Sequence, residues 1–278
     1  MTSPPVRPSR VIAFVAAIVV PVVALAVSPW PTNVTLVYLG MLPPFIGLML
    51  KGARGALIAS VLVPVAMVAG MLLREYTAAG TLLMVAVAAA VGLSSARGWQ
   101  SVGAYLGSLA AYGLIGAPWV QFTGPPEPAA ATAAALGATA GIMLAGWLWM
   151  TLAGAVTLRG LRFASTKRAN VRTARYLAGS LAVLVGTATL VMLRLAPDDH
   201  AWWVVLTLFA VVQPGYMATL SRTTVRVGGT IVGGVIAAVL TALNDGQDPV
   251  LVVIGLALSG AAVVAYLRLP YWAYSTLL

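Results

Sequence analysis

The chain has 278 residues, 61% of them hydrophobic and 8% charged, whereas a soluble domain carries about a quarter charged residues, so this composition excludes a water-covered surface and is read as that of an integral membrane protein. The net charge of +10 and pI near 10.5 come from bases set in short gaps between apolar runs, the pattern of topology signals, so no nucleic-acid partner is expected. Cysteine is absent, His200 is the one histidine and there are six carboxylates, so disulfides, His/Cys zinc sites and most enzyme mechanisms lack their parts; no enzyme activity, cofactor or metal is expected.

A bilayer core takes about 20 mostly apolar residues per helix. After a short N-terminal segment, residues 1–10, the first charge-free interval is divided by the turn-forming cluster Ser28 to Asn33. That predicts helices over Val11–Val27 and Val34–Leu50. Arg7, Arg10 and Ala24-Leu25-Ala26 also fit a cleavable signal peptide, but nine further apolar segments favour an uncleaved first helix. Spans follow at Gly55–Leu73, Tyr76–Ala96 and Gly98–Val120, then a Pro-rich connection, Gly124 to Pro128, and a sixth span over Ala131–Leu158. Beyond a basic linker, residues 159–175, come Tyr176–Leu195, Ala201–Leu220, Val227–Leu243 and Pro249–Leu267, and an eleventh helix starts at Pro270. The expected fold is thus an all-α, polytopic membrane protein with about ten or eleven transmembrane helices.

Charge placement tests this count. With a cytoplasmic N-terminus, the inner segments hold fourteen of the sixteen bases and no acid, while the outer ones hold Arg74, Arg194 and all six acids, Glu75, Glu127, Asp198, Asp199, Asp245 and Asp248. The imbalance is +14 against −4, and one missed helix would scramble everything after it.

The element order repeats at an offset near 170 residues. Trp30 and Trp202/Trp203 open helices that carry Pro43/Pro44 and Pro214. Lys51/Arg54 and Arg222/Arg226 follow, and each unit later reaches a base and a tryptophan, Arg97 with Trp99 and Arg268 with Trp272. Six helices separate the copies, so both start on one side, giving two parallel six-helix repeats. The first unit is read as residues 11–158 and the second as 176–278. The second is incomplete, so the sequence is expected to be part of a longer chain.

The most specific local pattern is Gln213-Pro214 followed by Arg222-x3-Arg226-x2-Gly229-Thr230-x2-Gly233. Pro214 frees a carbonyl one turn earlier and kinks its helix, placing the polar Gln213 inside an apolar span. Arg222 and Arg226 are expected in a loop ahead of the next helix, where unpaired N–H groups and the dipole add to their charge. This makes a cytoplasmic anion site. Gly228, Gly229, Gly233 and Gly234 would let a backbone or flat ligand come close in that helix's first turns. Each part also has a plainer reading: arginines as topology or lipid contacts, Gly229-x3-Gly233 and Gly137-x3-Gly141 as helix packing, and Pro214 as a kink.

The run from Trp202 through Gln213-Pro214-Gly215-Tyr216 to Arg222-Thr223-Thr224-Val225-Arg226 and Gly228-Gly229-Thr230-Ile231-Val232-Gly233 resembles the fusaric acid resistance and aromatic acid exporter superfamily, distant relatives of the plant aluminium-activated malate channels. The resemblance implies six-helix membrane units, efflux of aromatic or other organic anions across the plasma membrane, and often a cytoplasmic helical domain. Lys51, Arg54 and Gly55 match the pattern in the first unit without its Gly-Thr pair. The 17-residue linker stands where many family members have a large soluble domain.

There is no Gly-x4-Gly-Lys phosphate loop, so ATP hydrolysis by this chain is not expected, and no acid lies at midspan to relay protons. The sequence therefore points to a secondary transporter or channel exporting organic anions. Arg222 and Arg226 would recruit carboxylate, Gln213, Tyr216 and Thr230 would lie near the path, and Pro214, Gly229 and Gly233 would set close approach. Trp202 and Trp203 are read as interfacial-belt residues. The expected partners are an organic anion and anionic membrane lipids, with a homo-oligomer left open. The alternative is a non-transporting scaffold or lipid-binding subunit using the basic face from Arg159 to Arg175. A membrane transferase would have only Asp198-Asp199 as a metal pair. Asp198, Asp199 and His200 could also serve as an outside pH sensor, with a solvated loop as the plainer reading.

Overall fold

In hydrocarbon the backbone must satisfy its own hydrogen bonds, which long Ala-, Val- and Leu-rich runs do by forming helices. The computed structural model describes residues 8–29, 33–116, 133–157, 168–195 and 201–243. In order come α1 (Pro8–Ala26), α2 (Val34–Leu73), α3 (Thr77–Ser94), α4 (Gln100–Ala111), α5 (Ala133–Thr157), α6 (Val171–Leu195), α7 (Trp202–Val211) and α8 (Tyr216–Leu243). A 3-10 turn, Ser95–Arg97, follows α3, and a π-helical turn, Tyr112–Gly116, follows α4. Among the described residues there is no strand, in keeping with the all-α expectation. The Gly124–Pro128 connection, Asp198 to His200, the span over Pro249–Leu267 and the start at Pro270 lie outside the described residues.

Among the described residues four helices are long and apolar enough to cross a membrane, Lys51–Leu73, Thr77–Arg97, Leu136–Thr157 and Val171–Leu195; Ile12–Ala26, Leu36–Leu48 and Trp202–Val211 are shorter apolar helices. The chain groups into two compact units, Met1–Ala210 and Val211–Leu278.

Some expected boundaries move. α6 starts at Val171, five residues earlier than the charge-free interval implies, because Asn170 caps it: its Oδ1 accepts from the Thr173 N–H at 2.8 Å. The expected span over Ala201–Leu220 instead ends as helix at Val211. Pro214 has no N–H for a helical bond and its ring would meet the carbonyl of Ala210, while Gly215 adopts φ 124°. A new helix begins at once and runs 28 residues without a further break.

α2 consists of two helical arms that meet in a sharp bend at Gly52, with φ 66° and ψ −160°. No atom lies within 4 Å of where a Cβ would sit, so backbone conformation alone requires glycine there. Gly52→Ala is expected to lower unfolding free energy by about 1–3 kcal/mol, measured by denaturant titration in micelles; an unchanged midpoint would contradict a strained turn.

Within the first unit, glycines set the helix contacts. Gly40 and Gly146 bring the first arm of α2 against α5 at Met143 and Val37. Gly70 lies against Ala110 and Leu114, and Gly113 against Met67, joining the second arm to the end of α4. Gly92 meets Ala178 and Gly186 meets Val85, so α6 runs antiparallel along α3. Leu36, Val63, Met67, Met71, Leu109 and Met143 form the core between these helices, and Leu57, Val61, Val65, Leu82, Leu152 and Val183 face outward, as lipid-facing side chains do. The antiparallel run also sorts charge: Lys51, Arg97 and the start of α6 share one end, joined by the Lys51 to Arg97 and Ala169 to Ser95 hydrogen bonds. The turn bearing Arg74 and Glu75 lies at the opposite end of α3.

Candidate functional site

In the second unit the motif is organised by the break at Pro214 and Gly215. The Thr219 hydroxyl accepts from the Gln213 N–H at 2.9 Å and donates to the Gln213 carbonyl at 3.1 Å. One side chain thus closes the turn on both backbone groups of Gln213. The Gln213 amide turns back onto the Val212 carbonyl at 3.2 Å, which corrects the picture of a glutamine simply offered to the span. Thr219→Val should remove both bonds at similar volume and cost about 1–3 kcal/mol. Thermal unfolding would register this, and an unshifted transition would mean that the break holds without the hydroxyl.

Arg222 and Arg226 do not precede a helix, as the sequence suggested; both lie inside α8. They sit about 9 and 15 Å along the axis from Tyr216 at 1.5 Å per residue, and the dipole's influence fades within the first turn. The combined loop-and-dipole anion site is therefore replaced by a different arrangement. With about 100° between successive residues, Tyr216, Thr219, Arg222, Thr223, Arg226, Thr230 and Gly233 fall within an arc of about 120°.

That stripe is a ladder of hydroxyls and guanidiniums along one side of α8. Thr223 donates to the Thr219 carbonyl at 2.9 Å, holding its side chain against the helix. Thr219, Thr223, Arg226 and Gly233 are half-buried, while Tyr216, Arg222 and Thr230 are exposed. No acid occurs among the described residues of this unit, so the stripe carries net positive charge. The structure therefore keeps Tyr216, Arg222, Arg226 and Thr230 on one face and leaves Gln213 in the turn below it. Sequence reading missed Thr219 and Thr223; the threonine spacing 219, 223 and 230 was a usable signal once the helix was known to start at Tyr216.

The glycines separate. Gly229 is buried and lies at the edge of the stripe, whereas Gly228 and Gly234 are exposed with open space at the Cβ position. All four lie in the middle of α8 rather than in its first turns. Gly137 and Gly141 likewise face open space, so the packing they were expected to make is not made among the described residues.

The first unit holds a small, largely apolar crevice. Gly40, Pro43, Pro44, Ser60, Pro64, Met143 and Trp147 line it, and it is partly open with a cavity volume of only about 10 Å³. Pro43, Pro44 and Pro64 cannot donate to the carbonyls of Leu39, Gly40 and Ser60, and the buried Trp147 Nε1 has no hydrogen-bond partner. At the far end of this unit, Trp202 is only 6% exposed. It packs on Tyr112 and stacks on Trp203, each at 4.6 Å between ring centres. It is therefore a packing residue and not part of an interfacial belt; Trp203 is 45% exposed.

Among the described residues, four apolar helices are long enough to cross a membrane, the pattern of a multi-pass membrane protein. Residues 181–278 match the family model described as fusaric acid resistance protein-like, bearing out the resemblance read from the Gln213 to Gly233 motif. Neither the curated proteins nor the solved structures contain a match to this chain.

Proposed function

We propose that this protein exports organic anions, with aromatic carboxylates as the favoured class, across the plasma membrane as a secondary transporter or channel, its N-terminus on the cytoplasmic side. The observation that carries the reading is the coincidence of the family match with the α8 stripe. Arg222 and Arg226 recruit the carboxylate, the planar guanidinium of each matching its two oxygens. Thr230, one turn further along the same face, offers a hydroxyl, and Tyr216 a ring. Gln213, held in the Pro214 turn, lies at the foot of the stripe. Gly229 and Gly233 keep its flank open to a flat molecule or a neighbouring helix.

Cells lacking the protein are expected to become sensitive to aromatic carboxylates and to regain resistance when the wild-type chain is supplied. Equal growth with and without the gene across a panel of such acids would overturn the reading.

A further inference from the structure

The basic end of the first unit has a geometry of its own. Lys51 donates from Nζ to the Arg97 carbonyl at 3.1 Å and lies 5.6 Å from the centre of the Trp99 ring. The Ala169 N–H, just ahead of α6, donates to the Ser95 carbonyl at 3.1 Å. Those contacts gather the break in α2, the turn after α3 and the start of α6 at one place. Arg54, Arg97, Arg168, Arg172 and Arg175 are exposed on these three segments.

Nothing within these segments neutralises them. The acid among the described residues is Glu75, at the opposite end of α3, and the sequence has no acid between residues 158 and 175. Arg172 also stands in the first turn of α6, where a positive charge opposes the helix dipole. An anion from outside the chain would relieve both repulsions. The surroundings favour a membrane source: Tyr176 is 65% exposed with the Arg172 guanidinium 5.8 Å from its ring centre, and aromatic and arginine side chains at the end of a span are headgroup-level anchors.

We infer that this end is a binding surface for the phosphodiester headgroup of an anionic lipid, held between Arg97 after α3 and Arg168 and Arg172 at the start of α6. The lipid ties α6 to α3 at the end where their contact begins. This does not depend on what the α8 stripe carries.

The test uses the full chain in mixed micelles, with native mass spectrometry counting retained lipid and thermal unfolding read in parallel. Phosphatidylglycerol is expected to be retained and to raise the unfolding temperature, phosphatidylcholine to do neither, and retention to fall with added salt. R97Q/R168Q/R172Q should weaken phosphatidylglycerol retention on the order of 100-fold at the effect expected per surface base, whereas R74Q, at the other end, should not. If the triple variant fails to fold, the lipid and salt comparisons on the wild type still decide. Equal retention of both lipids, undiminished retention by the folded triple variant, or equal stabilisation by inorganic phosphate alone would each overturn the proposal.

Discussion

Arg226→Ala is expected to abolish most of the resistance that the wild-type chain confers, and to weaken the apparent affinity for an aromatic carboxylate roughly 10- to 150-fold, the loss of one hydrogen bond to a charged group. Arg226 is the half-buried member of the arginine pair and sits between Thr223 and Thr230 on the same face of α8. Water competes less for it there than for the exposed Arg222. Arg222→Ala should therefore have the smaller effect, acting on attraction more than on seating. Arg226→Lys separates the two contributions. It keeps the charge but loses the planar fork, so it should restore part of the affinity and leave discrimination among carboxylates impaired. Concentration dependence of uptake into vesicles, with protein amount matched, measures all three variants. Full affinity in Arg226→Ala would remove the stripe from the transport path.

Gly92→Val should unfold the α3–α6 pair, or prevent its assembly, whereas Gly141→Ala should be neutral or slightly stabilising. A Cβ on Gly92 would fall within van der Waals distance of the Ala178 backbone, 2.5 Å from its nitrogen, and a helix backbone cannot step aside as a flexible side chain can. Overpacking of this kind costs about 1–3 kcal/mol, occasionally more. The affected contact positions α6, on which the matched segment begins at residue 181. At Gly141 nothing lies within 4 Å, so only helix propensity acts, and alanine gains about 0.5–1 kcal/mol over glycine. The unfolding temperatures of both variants, measured in one detergent, make the comparison. A Gly92→Val protein as stable as the wild type would mean that the α3–α6 approach is looser than described.

Hydrophobic runs and charge gaps were enough to locate most helices, since both follow from the solvent the chain must meet. Lys51, Arg97 and Arg168 do gather at one end of the first unit, and the spans ending near Leu73 and Leu195 stand where the gaps placed them. Charge was a poor guide at the motif. Arg222 and Arg226 looked like a loop because they interrupt apolar sequence, yet Thr, Ser and Arg sustain a helix well enough, and the true break is dictated by the missing N–H of Pro214 and the positive φ of Gly215. Long-range contacts left no local signal. Trp202 reads as an interfacial residue in sequence but is buried because Tyr112, ninety positions earlier, comes to lie on it. Trp147 likewise comes to line a crevice with prolines of another helix.

The most direct measurement is efflux from liposomes that contain only this protein, loaded with a panel of aromatic and aliphatic carboxylates, with and without a pH gradient. Loss of aromatic carboxylate faster than from protein-free vesicles, and slowed by Arg226→Ala, is the predicted result. Loss equal to that of protein-free vesicles for every anion tested, from protein shown to be folded, would contradict organic-anion export.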